Sequence, residues 1–366
     1  MLGSASPRPF PRDERRTPPV DALTLFDAEL NPRAAGSAVG VDTAAAPPRP
    51  AAAPWSTTAA QAAAGPRVLA VDGDSVAHRA YHAYANGRGG RYGFLALLAA
   101  ICDEAGADGL IVGFDCRERS HRRDLEPSYK AQRGDKPDDL VELLDRLPHD
   151  LTRLGLCAVV APGWEADDVV ASAAASAEAR GWGCAVATSD RDAYALATER
   201  TTVLRLRNAA ERTEHLTPQR LRRKLGIEPA RYVQYAALRG DTSDNLPGVP
   251  GIGPRRAAAL LEAFDDVEAA GADPIGCRSV LGREAGQALL DDLARGPDSV
   301  HRRNVALMNV RRDLDVDLDA AFRRPAPQTV AATLDGWGLG PLAGRLAAAV
   351  GARPDAVPLP ETPLDG

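Results

Sequence analysis

Four short apolar runs end in carboxylates, and that repetition limits the folds open to the chain. VLAV (68–71) runs into Asp72 and LIVGF (110–114) into Asp115. CAVV (157–160) is followed by Glu165, Asp167 and Asp168 in PGWEADD, and CAVAT (184–188) by Asp190 and Asp192 in TSDRD. A fifth run, TVLRL (202–206), also reads as a strand, and residues 94–104, 138–154 and 166–180 read as helices. Strand alternating with helix predicts an α/β fold, a parallel sheet flanked by helices. Ligands of such sheets bind at the carboxyl ends of the strands, where these acids fall.

Each acid alone has a structural explanation. Helix dipoles favour Glu165, Asp167 and Asp168 in a first helical turn, and an aspartate after a strand is a common turn or capping residue. Together they need another explanation, because like charges at one edge raise one another's pKa and destabilise the fold unless a cation neutralises them. The donors are all hard oxygens, with no His or Cys at ligand spacing, which suits Mg²⁺ or Mn²⁺. So many acids leave room for two ions, and two ions roughly 3.5 to 4 Å apart can activate a water and stabilise a leaving phosphodiester oxygen. Asp241 and Asp244, in GDTSDNLPG (240–248), read alone as a turn; spaced i, i+3, they would share a face if the stretch is helical and would then complete the second ion's shell from outside the sheet.

The rest of the chain divides by composition. Residues 1–65, rich in Ala, Pro, Arg and Ser, are expected to be a disordered tail. Residues 66–216 carry the strand and helix alternation, 217–324 form a helical lobe, and 325–366 are expected to be a weakly structured tail with one helix over 343–350. Five cysteines without a C-x-x-C pair, no signal-like start and no long apolar run point to a reduced cytoplasm and no membrane. The net charge of −6 conceals basic concentrations at 117–133, 200–224 and 302–312.

One segment of the helical lobe reads either as an ordinary interhelical turn or as an anion grip. NLPGVPGIGPRRAAALLEAF (245–264) places Gly248, Gly251 and Gly253 ahead of a helix opened by Arg255 and Arg256. Glycine permits close backbone approach, and N–H groups at a helix start favour a phosphate. Such contacts position a nucleic acid without reading its bases.

Taken together, VDG, FD, EADD, SDRD, GDTSDNLPG and GIGPRRA resemble, over about residues 67–324, the 5′ nuclease family: the 5′-3′ exonuclease domain of bacterial DNA polymerase I and its flap endonuclease relatives. The resemblance implies a PIN-like sheet domain followed by a helix-hairpin-helix-type DNA-binding lobe. It implies two Mg²⁺ ions, replaceable by Mn²⁺, with Asp72, Asp115, Glu165, Asp167 and Asp168 around the first and Asp190, Asp192, Asp241 and Asp244 around the second. A monovalent cation at the hairpin turn is a further implied ion. SHRRDLEPSYKAQR (120–133) looks like the family's phosphate-steering segment, with Lys130, Arg133 and Arg122 near the scissile phosphate; Arg79 adds a basic group and Tyr81 an aromatic for stacking on a frayed base. Arg117, Arg119 and Arg123 read as a solvated charged face. His121 stands where relatives usually carry Phe, and Arg255 where many have Lys.

The implied activity is hydrolysis of DNA, and of primer RNA in hybrids, at 5′ ends, nicks or flaps during replication and repair. The implied setting is a nucleoid-associated monomer without its own polymerase, whose products pass to a separate DNA polymerase and a ligase. A PIN-type ribonuclease shares the sheet and acids but normally ends where the helical lobe begins. A dinucleotide-binding enzyme would need G-x-G-x-x-G where VDGDS (71–75) stands.

Overall fold

The computed structural model describes residues 65–84, 89–207 and 213–352. The expected N-terminal tail, apart from Gly65, and residues 353–366 lie outside the described residues. Five strands, β1 (Arg67–Asp72), β2 (Gly109–Phe114), β3 (Cys157–Val160), β4 (Gly183–Thr188) and β5 (Thr201–Arg205), pair in parallel in the order β3-β2-β1-β4-β5. A short strand that the sequence reading missed, β6 (Glu214–Leu216), adds antiparallel to β5. β1 and β2 are buried almost throughout, as expected of strands covered on both faces. β1 lies between β2 and β4, so the winding reverses there, and a crevice opens beyond the ends of β1 and β4.

Helices α1 (Gly73–Tyr84), α2 (Gly89–Ala105), α3 (His121–Leu125), α4 (Asp138–Arg153) and α5 (Ala166–Ala179) accompany the sheet. In α4, Leu140, Leu143, Leu144, Leu147 and Leu151 recur at helical spacing and all are buried. α1 was not anticipated, because it starts at the residue after β1 with no connecting turn. Gly73 makes this junction possible: a Cβ there would lie 2.4 Å from the Phe114 ring.

Beyond the sheet come α6 (Pro218–Leu225), α7 (Tyr232–Arg239), the hairpin β7 (Gly240–Asp241) and β8 (Leu246–Pro247), α8 (Pro254–Ala263), α9 (Val267–Ala272), α10 (Pro274–Leu281), α11 (Arg283–Leu293) and α12 (Val300–Met308). This region shares one apolar core with the sheet, joining Val186 and Tyr194 to Tyr235, Leu260 and Leu289. Asn304, wholly buried on α12, donates to the carbonyls of Ala237 at 3.0 Å and Pro247 at 2.8 Å, which ties α12 to α7 and to the second strand of the hairpin.

The expectation of a weakly structured C-terminal tail over 325–366 is corrected for the part that is described. Two helices, α13 (Pro327–Gly336) and α14 (Ala343–Ala349), pack on each other and α14 docks on α2, with Leu334 and Leu346 fully buried. Between them the Trp337 ring lies under the guanidinium groups of Arg91 at 4.4 Å and Arg153 at 5.6 Å. Helices this short draw their stability from docking, which local periodicity does not reveal. No described helix is long and apolar enough to cross a membrane.

Candidate active site

The crevice between β1 and β4 is lined by carboxylates that follow one another as a ribbon. Asp72, the last residue of β1, accepts from Thr188 Oγ1 at 2.7 Å and from the Ser75 backbone N–H at 2.9 Å. Asp115 Oδ1 accepts the N–H of Ala166, the first residue of α5, at 2.8 Å, so the end of β2 fixes the start of that helix. Thr188 Oγ1 also accepts the Asp190 N–H at 3.0 Å, and Asp190 Oδ1 accepts the Asp192 N–H at 2.9 Å. Asp241 folds into a turn, its Oδ1 accepting the Ser243 N–H at 2.8 Å.

Electrostatics show which acids feel one another. Burial pushes Asp72 up to about 7 against the pull of its two hydrogen bonds, and Asp74 and Asp115 add repulsion. Burial, then Asp74 and Glu165, push Asp115 up to about 6. Asp167 is raised well above the ordinary range by burial, Asp190 and Asp72; Asp192 is raised by burial, Asp190, Asp244 and Asp241. Asp167 therefore links the two expected groups, and Asp192 reaches those of the helical lobe. Asp167 Oδ1 is buried without a hydrogen-bond partner. Among the described residues, no three His, Cys, Asp or Glu side chains are already gathered into a metal-binding group. The donor set nevertheless fits a hard divalent cation: its members are oxygens, several of them raise one another's pKa, and the buried Asp167 Oδ1 has no hydrogen-bond partner.

Basic groups meet this ribbon from one stretch of chain. Lys130 Nζ donates to Glu165 at 2.9 Å, and this cation, with Arg122, holds Glu165 below its ordinary pKa against the effect of burial. Lys130 has φ +57°, a left-handed conformation uncommon for a side-chain-bearing residue, and its N–H donates to the Asp244 carbonyl at 3.0 Å. Arg133 Nη2 donates to the Asp244 carboxylate at 2.6 Å. The steering segment thus joins the sheet's acids to those of the helical lobe. Arg79 is partly buried on α1 and has no ion-pair partner among the described residues. Tyr81, on the same helix, donates its hydroxyl to Asp139 at 2.7 Å.

Two assignments are corrected. Asp168, placed with the first metal, is completely buried, and its oxygens accept from Arg122 at 2.7 and 2.8 Å and from the N–H groups of Glu165 at 3.0 Å and Arg311 at 2.8 Å. Arg122, placed beside the scissile phosphate, is itself buried and also donates to the Leu307 carbonyl at 2.7 Å. This pair knits α3, α5 and the end of α12 together. The EADD spacing explains it: neighbouring residues in a helix point in different directions, so Asp167 and Asp168 cannot share one surface.

Two further residues escaped the sequence reading. Asp74 is buried beside Asp72 and Asp115, and Arg117, read as a solvated cation, pairs with Asp74 at 2.5 Å. The acid was visible in VDGDS (71–75), but nothing in the string shows that the first turn of α1 faces the end of β2.

In the helical lobe, α7, the hairpin and α8 form a helix-hairpin-helix unit. Its glycines differ in role. A Cβ on Gly248 would lie 2.3 Å from the backbone of Arg239, so this glycine serves the close packing of the hairpin. Gly251 takes φ +77°, and Gly253, the residue before α8, has open space around its Cβ position. Arg255 is exposed, without an ion-pair partner among the described residues. Arg256 instead turns back to donate to the Gly251 carbonyl at 2.7 Å, occupying one carbonyl of the turn where a monovalent cation was expected. Gly248→Ala is expected to destabilise the protein by about 1 to 3 kcal/mol through overpacking. Gly253→Ala should cost less than about 1 kcal/mol in urea denaturation, because nothing obstructs its methyl group.

Comparison with known proteins agrees with this arrangement. A family model described as "5'-3' exonuclease, N-terminal resolvase-like domain" matches residues 67–226, and one described as "5'-3' exonuclease, C-terminal SAM fold" matches residues 227–329. The thermostable DNA polymerase I of Thermus aquaticus is 37% identical over 265 residues, 70% of this chain and 30% of the polymerase. The DNA polymerase I of Mycobacterium tuberculosis (strain CDC 1551 / Oshkosh) is 36% identical over 210 residues, 55% of this chain and 23% of the polymerase. The chain therefore spans less than a third of the length of these relatives. In fold it is similar to the bacteriophage T5 flap endonuclease solved as a pseudo-enzyme-product complex with DNA and metal ions, with a TM-score of 0.55 at 17% identity over 78% of this chain and 99% of that one. Human GEN1 in complex with Holliday junction DNA gives a TM-score of 0.51 at 17% identity, over 79% of this chain and 72% of that one. With both domain models matched in sequence, this chain belongs to the 5′-3′ exonuclease family.

Proposed function

We propose that the protein is a divalent-metal-dependent hydrolase that cleaves DNA phosphodiester bonds at or near 5′ ends, nicks and flaps. The observation that carries this reading is the ribbon of carboxylates at the switch point of the sheet, with the unpartnered Asp167 Oδ1 inside it and Lys130 at its edge. Asp72, Asp115, Glu165 and Asp167 would hold one ion, and Asp190, Asp192, Asp241 and Asp244 the second, Mg²⁺ being the natural ion and Mn²⁺ a substitute. When bound, such ions supply a nucleophilic water and stabilise the leaving oxygen. Lys130, Arg133 and Arg79 hold the phosphate being cut, their charge opposing the negative charge that builds on it. Gly251, Gly253 and Arg255 at the hairpin grip the duplex backbone without reading sequence.

Such an enzyme would remove displaced strands or primer RNA, leaving 3′-hydroxyl and 5′-phosphate ends for a polymerase and a ligase. It would work as a monomer on the nucleoid. Incubation of a 5′-labelled flap duplex with Mg²⁺ tests the reading. Short labelled products are expected, and an intact substrate bound by the protein in the presence of Mg²⁺ would refute the catalytic assignment.

A further inference from the structure

Asp74 and Arg117 stand inside the acid ribbon, although the acid set read from the sequence includes neither. Asp74, buried in the first turn of α1, receives the Arg117 guanidinium on Oδ1 at 2.5 Å and the Asp115 backbone N–H on Oδ2 at 2.9 Å. The same guanidinium lies 3.6 Å from Asp115 Oδ2 and 3.8 Å from Asp145 Oδ1. Three acids, from α1, the end of β2 and α4, thus fix one arginine whose side chain remains 31% exposed. Lys130 and Arg133 are anchored in the same manner by Glu165 and Asp244.

Both oxygens of Asp74 are engaged by protein donors, so it is poorly placed to coordinate an ion. Its charge serves to hold the guanidinium. Of the three contacts only that of Nη2 with Asp74 is a hydrogen bond, so the planar guanidinium is held in place while N–H donors on Nη1 and Nε stay available to a phosphate. Burial, and after it the Arg117 charge, lowers the pKa of Lys136, so the two cations feel each other.

We infer that Asp74 is a positioning residue for Arg117, and that Arg117 contacts a substrate phosphate next to the one held by Lys130 and Arg133. This inference rests on the nuclease reading. It has a second consequence: a fixed positive charge beside Asp115 repels any divalent ion placed there, so its removal should tighten ion binding while loosening DNA.

The test measures anisotropy of a fluorescent 5′-flap duplex in EDTA at 0.1 M salt, with the full chain and the variants Arg117→Ala, Arg117→Lys, Asp74→Asn and the double variant Asp74→Asn/Arg117→Ala. Mn²⁺ is titrated calorimetrically into each, and melting curves confirm that each is folded. Arg117→Ala should weaken DNA binding by about an order of magnitude and lower the salt slope by about 1. Arg117→Lys should recover part of that loss, and Mn²⁺ should bind Arg117→Ala more tightly than the wild type. Asp74→Asn should weaken DNA binding only when Arg117 is present, the coupling expected of an anchor and its cargo. Arg117 is accessible and its replacement leaves no core cavity, so Arg117→Ala alone decides the matter if Asp74→Asn does not fold. Wild-type affinity in Arg117→Ala, or an equal effect of Asp74→Asn in both backgrounds, would overturn the inference while leaving the nuclease reading standing. Failure of the wild type to bind the flap would overturn both.

Discussion

Replacing Asp167 with Asn is expected to slow cleavage of a 5′-flap substrate roughly a thousandfold while leaving the metal-free protein at least as stable as the wild type. These opposite effects have one cause. Asp167 Oδ1 is buried without a partner, and burial together with Asp190 and Asp72 drives its pKa far up. A buried carboxylate whose repulsion by neighbouring acids outweighs the attraction of Lys130 is a cost to the fold and an asset to cation binding. An amide keeps the shape, removes that cost and removes the asset.

The sign of the pH dependence follows. Asp72, Asp115, Asp167, Asp192 and Asp244 all have raised pKa values in the folded protein, so the native state holds their protons more tightly than the unfolded chain does. The stability this gives is fully present below the unfolded value of 3.8 and is lost as pH rises through the folded values, which for Asp72 means up to about 7. In EDTA the contribution of these acids to stability should therefore fall across that window, and Mg²⁺ should restore more of it at pH 7.5 than at pH 5.5. Calorimetry with and without Mg²⁺, on wild type and Asp167→Asn, measures it. Equal stabilisation by Mg²⁺ at both pH values, or full activity in the variant, would contradict the assignment.

Asp168→Ala, one position along the helix, should behave in the reverse manner. It removes the carboxylate bonded bidentately to the buried Arg122 and should destabilise the metal-free protein by about 3 to 5 kcal/mol. The additional stability contributed by Mg²⁺ should match that of the wild type. Urea denaturation in EDTA and in Mg²⁺ separates the alternatives. A metal ligand would leave the metal-free midpoint nearly unchanged and abolish the response to Mg²⁺.

How much could be read in advance depended on how local the cause was. The strands at 68–71, 110–114, 157–160 and 184–188 carry their signal in consecutive residues, and their acids follow from the parallel order, so the ribbon was legible. α1 was not, because its start is set by Gly73 pressed against Phe114, a contact between the helix and the end of β2. α13 was missed for a similar reason: it packs on α14, which is itself held by docking on α2. The division of labour between Asp167 and Asp168 is invisible in EADD, since it depends on Arg122 arriving from α3. Arg117 looked like one of several solvated cations until Asp74 was placed beside it.

The central claim is that one carboxylate ribbon, shared between the sheet and the helical lobe, holds two divalent ions. The most direct measurement is the stoichiometry of Mn²⁺ binding, by calorimetry or electron paramagnetic resonance, for the wild type and for Asp241→Asn/Asp244→Asn. The account predicts two ions in the wild type and the loss, or marked weakening, of one in the double variant, with the other unaffected. Two ions bound with unchanged affinity by both proteins would contradict it, because the helical lobe would then contribute nothing to the second site.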